Sequence, residues 1–284
     1  MKVGFIGLGH LGKTIARHLI TEGIEITVWN RTKEKADDLG VPVALSPADL
    51  IGGCDVVVMN LFDSEAVASV LIGERGLLTV PCRGKIIIDT TTNHFAHVGA
   101  FYELAQAHGA TYLECPILGS VVPASRGDLT VLVSGDERTF IKTRPLIETI
   151  GSTIHYIGEP ALATKMKLVN NLVLGSFMAT LAEAVALGES AGIPREKVIN
   201  ILLSGAGNSM VLNAKKEKLV QEEFSTHFSS ALIYKDLHYL QDLCRTMNKP
   251  LFTGSCAKEL FALTRSKKID HLDFSAVYTI FRDF

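Results

Sequence analysis

Three glycines carry the first chemical signal in this sequence. Gly7, Gly9 and Gly12 stand in a G-x-G-x-x-G pattern, with Leu8, His10 and Leu11 between them. Alone, the pattern is weak. Here it follows an apolar run, Lys2 to Ile6, and opens a helical pattern from Leu11 to Glu22, which is the context that binding a pyrophosphate requires. The first glycine permits a tight turn, the second lets the backbone approach the phosphates, and the third lets helix pack on strand. Amide N–H groups and the positive helix end then face the anion. A second run, Glu25 to Trp29, ends at Asn30-Arg31-Thr32. A carboxylate at that place would accept hydrogen bonds from both hydroxyls of an adenosine ribose. The amide found instead repels no 2′-phosphate, the Arg31 guanidinium is a planar fork suited to binding one, and Thr32 adds a hydroxyl. The expected cofactor is NADP(H), with NAD(H) as the admissible alternative.

Lys167 and Asn171 form a second constellation. They lie four residues apart in a stretch that is helical by pattern, so they share one face, with Lys165 and Asn170 beside them. Hydride transfer to a carbonyl needs a proton donor at the oxygen that gains charge, and a lysine tuned by burial can serve. The same spacing also suits a lysine that snorkels to solvent and an asparagine bonded to backbone. Other candidates carry less. His94 and His97 lack a cysteine or carboxylate at metal-ligand spacing, so no metal is expected. Cys115 has no basic neighbour to lower its thiol pKa. Lys215, Lys216 and Lys218 read as a solvated helix face, and Phe274, Ser275 and Ala276 as helix packing.

The elements that must position these groups change character along the chain. Short β-branched runs alternate with helical patterns through the first half: a helix over Lys33 to Leu39, a short third strand over Val43 to Leu45, and buried strands at Asp55 to Met59 and Lys85 to Asp89. A helix over His97 to His108 and strands at Thr111 to Glu114 and Thr130 to Ser134 continue the series, which implies a parallel sheet with right-handed crossovers. From Thr164 to Ala191 one helical pattern runs on, about 42 Å at 1.5 Å per residue, and ends before Gly192 and Pro194. It is apolar on most of its circumference, so it must be covered on nearly every side, by its own domain and by a second subunit. Helical patterns follow at Arg195 to Leu203 and Met210 to Val220, and again through Leu237, Leu240, Leu243, Cys244 and Met247. The expected fold is α/β: a Rossmann-type doubly wound parallel sheet over residues 1–160, then an all-α domain over 164–284, joined by a long interdomain helix.

Composition narrows the function classes. At 284 residues and 47% hydrophobic, the chain has material for a full core. Twenty-eight basic against thirty acidic residues leave no excess to neutralise phosphates along a nucleic acid. Five scattered cysteines without a C-x-x-C pair form neither a disulfide framework nor a zinc site, as in a cytoplasmic protein. The longest apolar stretch, Leu168 to Leu187, contains Asn170, Asn171 and Glu183, which are costly in lipid, so no membrane is expected.

Several motifs in order then resemble one family: GFIGLGHLG at the start, WNRT after the second strand, ECPILGSVVPASRG in the middle, KMKLVNNLVLGS on the long helix, and YKDLHYL and LDFSAV near the end. The chain resembles the β-hydroxyacid dehydrogenases, a group that includes 3-hydroxyisobutyrate dehydrogenase and the glyoxylate/succinic semialdehyde reductases, and is more distantly similar to 6-phosphogluconate dehydrogenase. The resemblance implies Lys167 as general acid and Asn171 as its partner, with Thr92 contacting nicotinamide and substrate and Lys235, beside Asp236, contacting cofactor. It also implies Leu61 along the cofactor and Phe228 closing the substrate pocket.

Two departures bear on substrate. The family's substrate loop usually has serine where this chain has Leu118; either Gly119 and Ser120 take over the substrate's anionic group, or the substrate is bulkier and less anionic, the lost hydrogen bond being worth about 1.5–3 kcal/mol. The family's glycines before the lysine are replaced by Ala161 and Ala163. The reading is an NADP(H)-dependent oxidoreductase that interconverts a small hydroxy acid and its aldehyde, semialdehyde or keto acid, working as a homodimer or homotetramer. An imine reductase-like enzyme acting on C=N bonds, or a catalytically inactive NADP-binding protein, are the alternatives.

Overall fold

The structure, a computed structural model, describes residues 1–283. The chain divides into two compact units, Met1–Lys167 and Leu168–Phe284. The first contains β1 (Val3–Ile6), α1 (His10–Thr21), β2 (Ile26–Trp29), α2 (Pro47–Gly53), β3 (Val56–Met59), α3 (Ser64–Ile72) and β4 (Ile86–Asp89). It continues with α4 (Phe95–Ala107), β5 (Thr111–Glu114), β6 (Ile117–Leu118), α5 (Val121–Ala124), β7 (Thr130–Gly135), α6 (Glu137–Ile150) and β8 (Thr153–Gly158). One eight-stranded sheet runs β2-β1-β3-β4-β5-β7-β6, with β8 on β7.

Alternation along the strands explains why both sheet faces are buried. Val56 and Val58 of β3 join Val3, Phe5, Ile86 and Ile88 in one apolar cluster, while Val57 and Met59 join Ile6 and Ile87 in the other. Successive side chains point to opposite faces, so a run such as VVVM is stable only where helices cover both. Side chains that compete well for orphan backbone N–H groups start the helices: Ser46 accepts from Asp49 N at 3.1 Å, Asp63 from Ala66 N at 2.8 Å and Asp136 from Thr139 N at 2.7 Å. α1 begins instead at Gly9, with no side-chain cap.

The first unit differs from the sequence expectation in several places. Strands β2, β1, β3, β4 and β5 are parallel, but β7 is antiparallel to both β5 and β6. Between β5 and β7 the chain has only a two-residue strand and a four-residue helix, too little helix for the crossover a parallel pairing needs. The strand expected over Val43 to Leu45 shrinks to a single parallel bridge between Val28 and Val43, because it is hemmed between Pro42 and Pro47. The helix expected over Lys33 to Leu39 is a 3-10 turn over Lys33–Ala36. α6 and β8 lie outside the elements that the pattern implies, although Asp136, which caps α6 at Thr139 N, is a start signal in the sequence.

α7 (Leu162–Ser190) leaves the first unit and runs into the second, closed by Gly192 at φ +85°. α8 (Arg195–Ser204), α9 (Met210–Gln221), α10 (Ser230–Thr246), α11 (Thr253–Ser266) and α12 (Tyr278–Arg282) follow. Within the single chain α7 is covered on part of its circumference only: Met166, Val169, Val173 and Phe177 are each more than two-fifths exposed. They recur at three- and four-residue steps and so form one stripe.

Candidate active site

The glycine turn is tight where the sequence says it must be. Gly7 has φ +97°, and a Cβ there would stand 2.1 Å from the Asn60 carbonyl oxygen. A Cβ on Gly12 would stand 2.0 Å from the Gly7 carbonyl oxygen, so helix and turn are in backbone contact. Nothing lies within 4 Å of the place a Cβ would take on Gly9, which leaves open space at the start of α1. Backbone-only turn, uncapped helix start and open approach together fit a dinucleotide pyrophosphate. Leu8 is buried, whereas His10 is exposed and Leu11 half-buried at the head of α1.

Asn30 does more than leave out a charge. Its Oδ1 accepts from Leu8 N at 2.8 Å and its Nδ2 donates to Thr32 O at 2.7 Å, so it ties the glycine turn to the segment after β2. Arg31 and Thr32 are exposed there. Leu61 follows β3, packs against the glycine turn with its Cδ2 3.1 Å from where a Gly7 Cβ would be, and donates its N–H to Thr91 Oγ1 at 3.0 Å.

The segment bearing Thr92 is held from below by a buried carboxylate that sequence reasoning missed. Asp89 ends β4 with no exposure; Oδ1 accepts from Thr91 N at 2.9 Å, and Oδ2 accepts from Asn93 Nδ2 at 2.7 Å and from Tyr112 OH at 2.5 Å. Burial pushes its pKa up against the pull of those donors. With Thr91 and Asn93 turned inward, Thr92 between them is half-buried. His94 caps α4, its Nδ1 accepting from Ala96 N at 3.3 Å, and His97 is exposed.

After β5 the chain runs Cys115-Pro116 into β6. Cys115 is fully buried, and burial pushes its thiol up, an environment unsuited to thiolate chemistry. Leu118 is half-buried, Gly119 takes φ +120°, and Ser120 precedes α5 without capping it through its side chain. The positive φ is what calls for glycine at 119; a Cβ there would also stand 2.6 Å from Leu129 Cδ2, the movable end of a side chain.

Lys167 does not snorkel. It is 5% exposed, and its ammonium donates to the Ile117 carbonyl at 2.8 Å, one residue before Leu118. The lysine is thereby fixed beside the segment the sequence marks for substrate.

In the second unit Asn171, one turn further along α7, is fully buried and donates from Nδ2 to Asp236 Oδ2 at 2.6 Å. The other Asp236 oxygen accepts no hydrogen bond, yet stands 3.1 Å from the Lys235 ammonium. That ammonium also lies 5.0 Å from the centre of the Tyr239 ring. Phe228 packs edge-on against Phe274 at 5.7 Å, and its N–H donates to Asp273 Oδ2 at 3.2 Å.

Asp273 leads to a correction. Lys215 and Lys218 are not a solvated face: they are 4% and 8% exposed. The Lys215 ammonium reaches Asp273 Oδ2 at 2.8 Å, and Lys218 donates to Ser225 O at 2.6 Å. Burial pushes the Asp273 carboxyl up, but the Lys215 charge and the Ser275 donors outweigh it and hold it below the usual carboxylate range. Leu212, Lys215 and Leu219 share one helical stripe, a signal that was available in the spacing.

Among the described residues no group of three His, Cys, Asp or Glu side chains could hold a metal ion.

Comparison with known proteins agrees with this geometry. Residues 2–158 match the NAD binding domain of 6-phosphogluconate dehydrogenase, and residues 162–281 match the NAD-binding domain of NADP-dependent 3-hydroxyisobutyrate dehydrogenase. Glyoxylate/succinic semialdehyde reductase 1 of Arabidopsis thaliana is 32% identical over 98% of this chain and 97% of its own. The chloroplastic reductase 2 of the same plant is 31% identical over 98% of this chain and 78% of its own. Among solved structures, 3-hydroxyisobutyrate dehydrogenase from Salmonella typhimurium superposes with a TM-score of 0.92 at 25% identity, covering 99% of this chain and all of that one. Psf3, solved with NADP+ and 2-OPP, gives 0.90 at 28% identity over 98% of this chain and 99% of its own. By full-length likeness and by the residues that build the glycine turn and the lysine helix, the chain belongs to the β-hydroxyacid dehydrogenase family of NAD(P)-dependent oxidoreductases.

Proposed function

We propose that this enzyme reduces a small aldehyde, semialdehyde or keto acid to the corresponding hydroxy acid with NADPH, and that Lys167 is the proton donor. The observation that carries the reading is the buried Lys167 ammonium, held at the Ile117 carbonyl beside Leu118, Gly119 and Ser120. Residues 1–160 serve as the nucleotide-binding domain and 164–284 as the helical substrate and dimerisation domain. The enzyme works in the cytoplasm as a homodimer or homotetramer, with a small molecule as substrate and neither nucleic acid nor membrane as partner.

Gly7, Gly9 and Gly12 would hold the pyrophosphate, and Arg31 with Thr32 the 2′-phosphate; Leu61, Thr92 and Lys235 would line the rest of the cofactor. When bound, the dihydronicotinamide supplies a hydride to the carbonyl carbon. Thr92, Gly119 and Ser120 orient the substrate; Phe228 and Asp236 are assigned to substrate contact by the family resemblance. The Lys167 Nζ–H then gives its proton to the carbonyl oxygen as negative charge develops there, so that C=O and H⁻ and H⁺ become CH–OH. Asn171 is the lysine's partner by the family resemblance, and general-acid assistance of this kind is worth about 10²–10⁴ in rate.

NADPH oxidation followed against a panel of C2 to C6 aldehydes and keto acids tests the reading, with NADH as control. Turnover on a semialdehyde or glyoxylate-like acid with NADPH favoured is expected, and Arg31→Asp should move the preference towards NADH. Leu118, an apolar side chain where the family usually has serine, favours one second reading, C=N reduction. Imine reductases share the fold; one from Myxococcus stipitatus, solved with NADP+, gives a TM-score of 0.68. Cyclic imines therefore belong in the panel, and turnover on them alone would replace the carbonyl reading.

A further inference from the structure

We propose that Glu114 is a positioning residue: its carboxylate clamps the first turn of α7 to the end of β5 and so sets where the Lys167 ammonium stands. The proposal rests on Lys167 being the proton donor.

The geometry is a two-point grip. One Glu114 oxygen accepts from Ala161 N, and the other accepts from Thr164 N at 3.1 Å and from Thr164 Oγ1 at 2.5 Å. Three residues after Thr164, Lys167 donates to the carbonyl of Ile117, which itself lies three residues after Glu114. The segment 114–117 thus holds α7 twice, at points about 4.5 Å apart along the helix axis. In the same turn Ser134 Oγ accepts from Ala163 N at 3.1 Å, and Glu159 O from Leu162 N at 3.3 Å. Ala161 enters the helix at φ +69°, a conformation that costs a non-glycine residue about 1–2 kcal/mol and must be imposed from outside. The Glu114 oxygen on its N–H is the contact placed to impose it.

A carboxylate suits this role and an amide does not. Both oxygens face donors, and the helix end adds a favourable dipole. In Gln the NH2 group would oppose either the Ala161 or the Thr164 N–H. Glu114 is 1% exposed, and burial raises its pKa to about 7 against the pull of Thr164 and Ala161. The titratable groups that face it are Asp89 on β4, its register partner, Tyr102 on α4, whose OH accepts from Glu114 N at 3.3 Å, and Tyr112 and Cys115 on its own segment. The carboxylate form accepts all three hydrogen bonds; a proton on it displaces at least one.

The test compares wild type, Glu114→Gln, Thr164→Val and Lys167→Ala in NADPH-dependent turnover of the best substrate of the panel. Glu114→Gln should lower kcat about tenfold at pH 8, leave the NADPH Kd within about twofold, and remove a rise in kcat near pH 7 that wild type shows. Thr164→Val, which adds no buried charge or donor, should lower kcat in the same direction by a smaller factor, and carries the test should Glu114→Gln not fold. An unchanged kcat and pH profile in both variants, while Lys167→Ala is impaired, overturns the positioning role alone. Loss of kcat, NADPH affinity and thermal stability in step also overturns it, since that marks general damage. Undiminished turnover in Lys167→Ala instead overturns the reading of the lysine on which the proposal rests.

Discussion

Asp89 and Glu114 lie opposite each other in register on β4 and β5, two buried carboxylates with different work. Asp89 organises the Thr91–Asn93 backbone; Glu114 faces the start of α7. For Glu114 the folded-state pKa of about 7 lies above the ordinary 4.5, so the native state binds the proton more tightly than the unfolded chain. That contribution to stability is fully present below pH 4.5 and is lost as pH rises through 7, amounting to about 3 kcal/mol at 1.36 kcal/mol per pKa unit. Urea unfolding between pH 4.5 and 8 should therefore show wild type losing stability relative to Glu114→Gln as pH rises; parallel curves would contradict it. At this scale the sequence was legible where backbone geometry demands one residue type, as at Gly7 and Gly12. It was opaque where a side chain serves two partners. Asn30 reads as an absent charge, and only the structure shows its amide holding Leu8 and Thr32.

The elements repeat this division. β1, β3 and β4 are unmistakable because burial on both faces leaves mostly apolar residues, largely Val and Ile, and α10 is clear because its stripe is one-sided. α9 misleads, because lysines on a helix usually mean solvent. Here Lys215 is buried against Asp273, which also accepts from His227 N at 3.1 Å and from Phe228 N, so one ion pair anchors α9 and the segment that carries Phe228. Removing one member of a buried pair strands the other charge. Lys215→Ala should cost about 3–5 kcal/mol, read as a fall in the urea midpoint, and should raise KM more than it lowers kcat because Phe228 loses its anchor. A change below about 1 kcal/mol would show that the pair is no brace. The antiparallel placement of β7 was hidden for another reason: strand direction depends on the connection, and the patterns of β5 and β7 alone do not encode it.

For the molecule as a whole, family and fold class could be read from motif order, whereas the apolar stripe on α7 could not be told from core. Met166, Val169, Val173 and Phe177 are 45%, 42%, 49% and 46% exposed on a helix that is long and apolar enough to cross a membrane. A second copy of the chain covering that stripe accounts for it under the proposed homo-oligomer. Val173→Asp with Phe177→Asp should then shift the mass seen by light scattering to that of a single chain. A monomeric wild type would contradict the proposal.

The proposed reaction depends on hydride transfer assisted by the buried Lys167. Its most direct test is single-turnover NADPH oxidation by Lys167→Ala with the best substrate of the panel, alongside an NADPH binding titration. A rate lower by about 10²–10⁴ with NADPH affinity nearly unchanged is expected. A rate equal to wild type, or a loss explained wholly by weaker NADPH binding, would contradict the account.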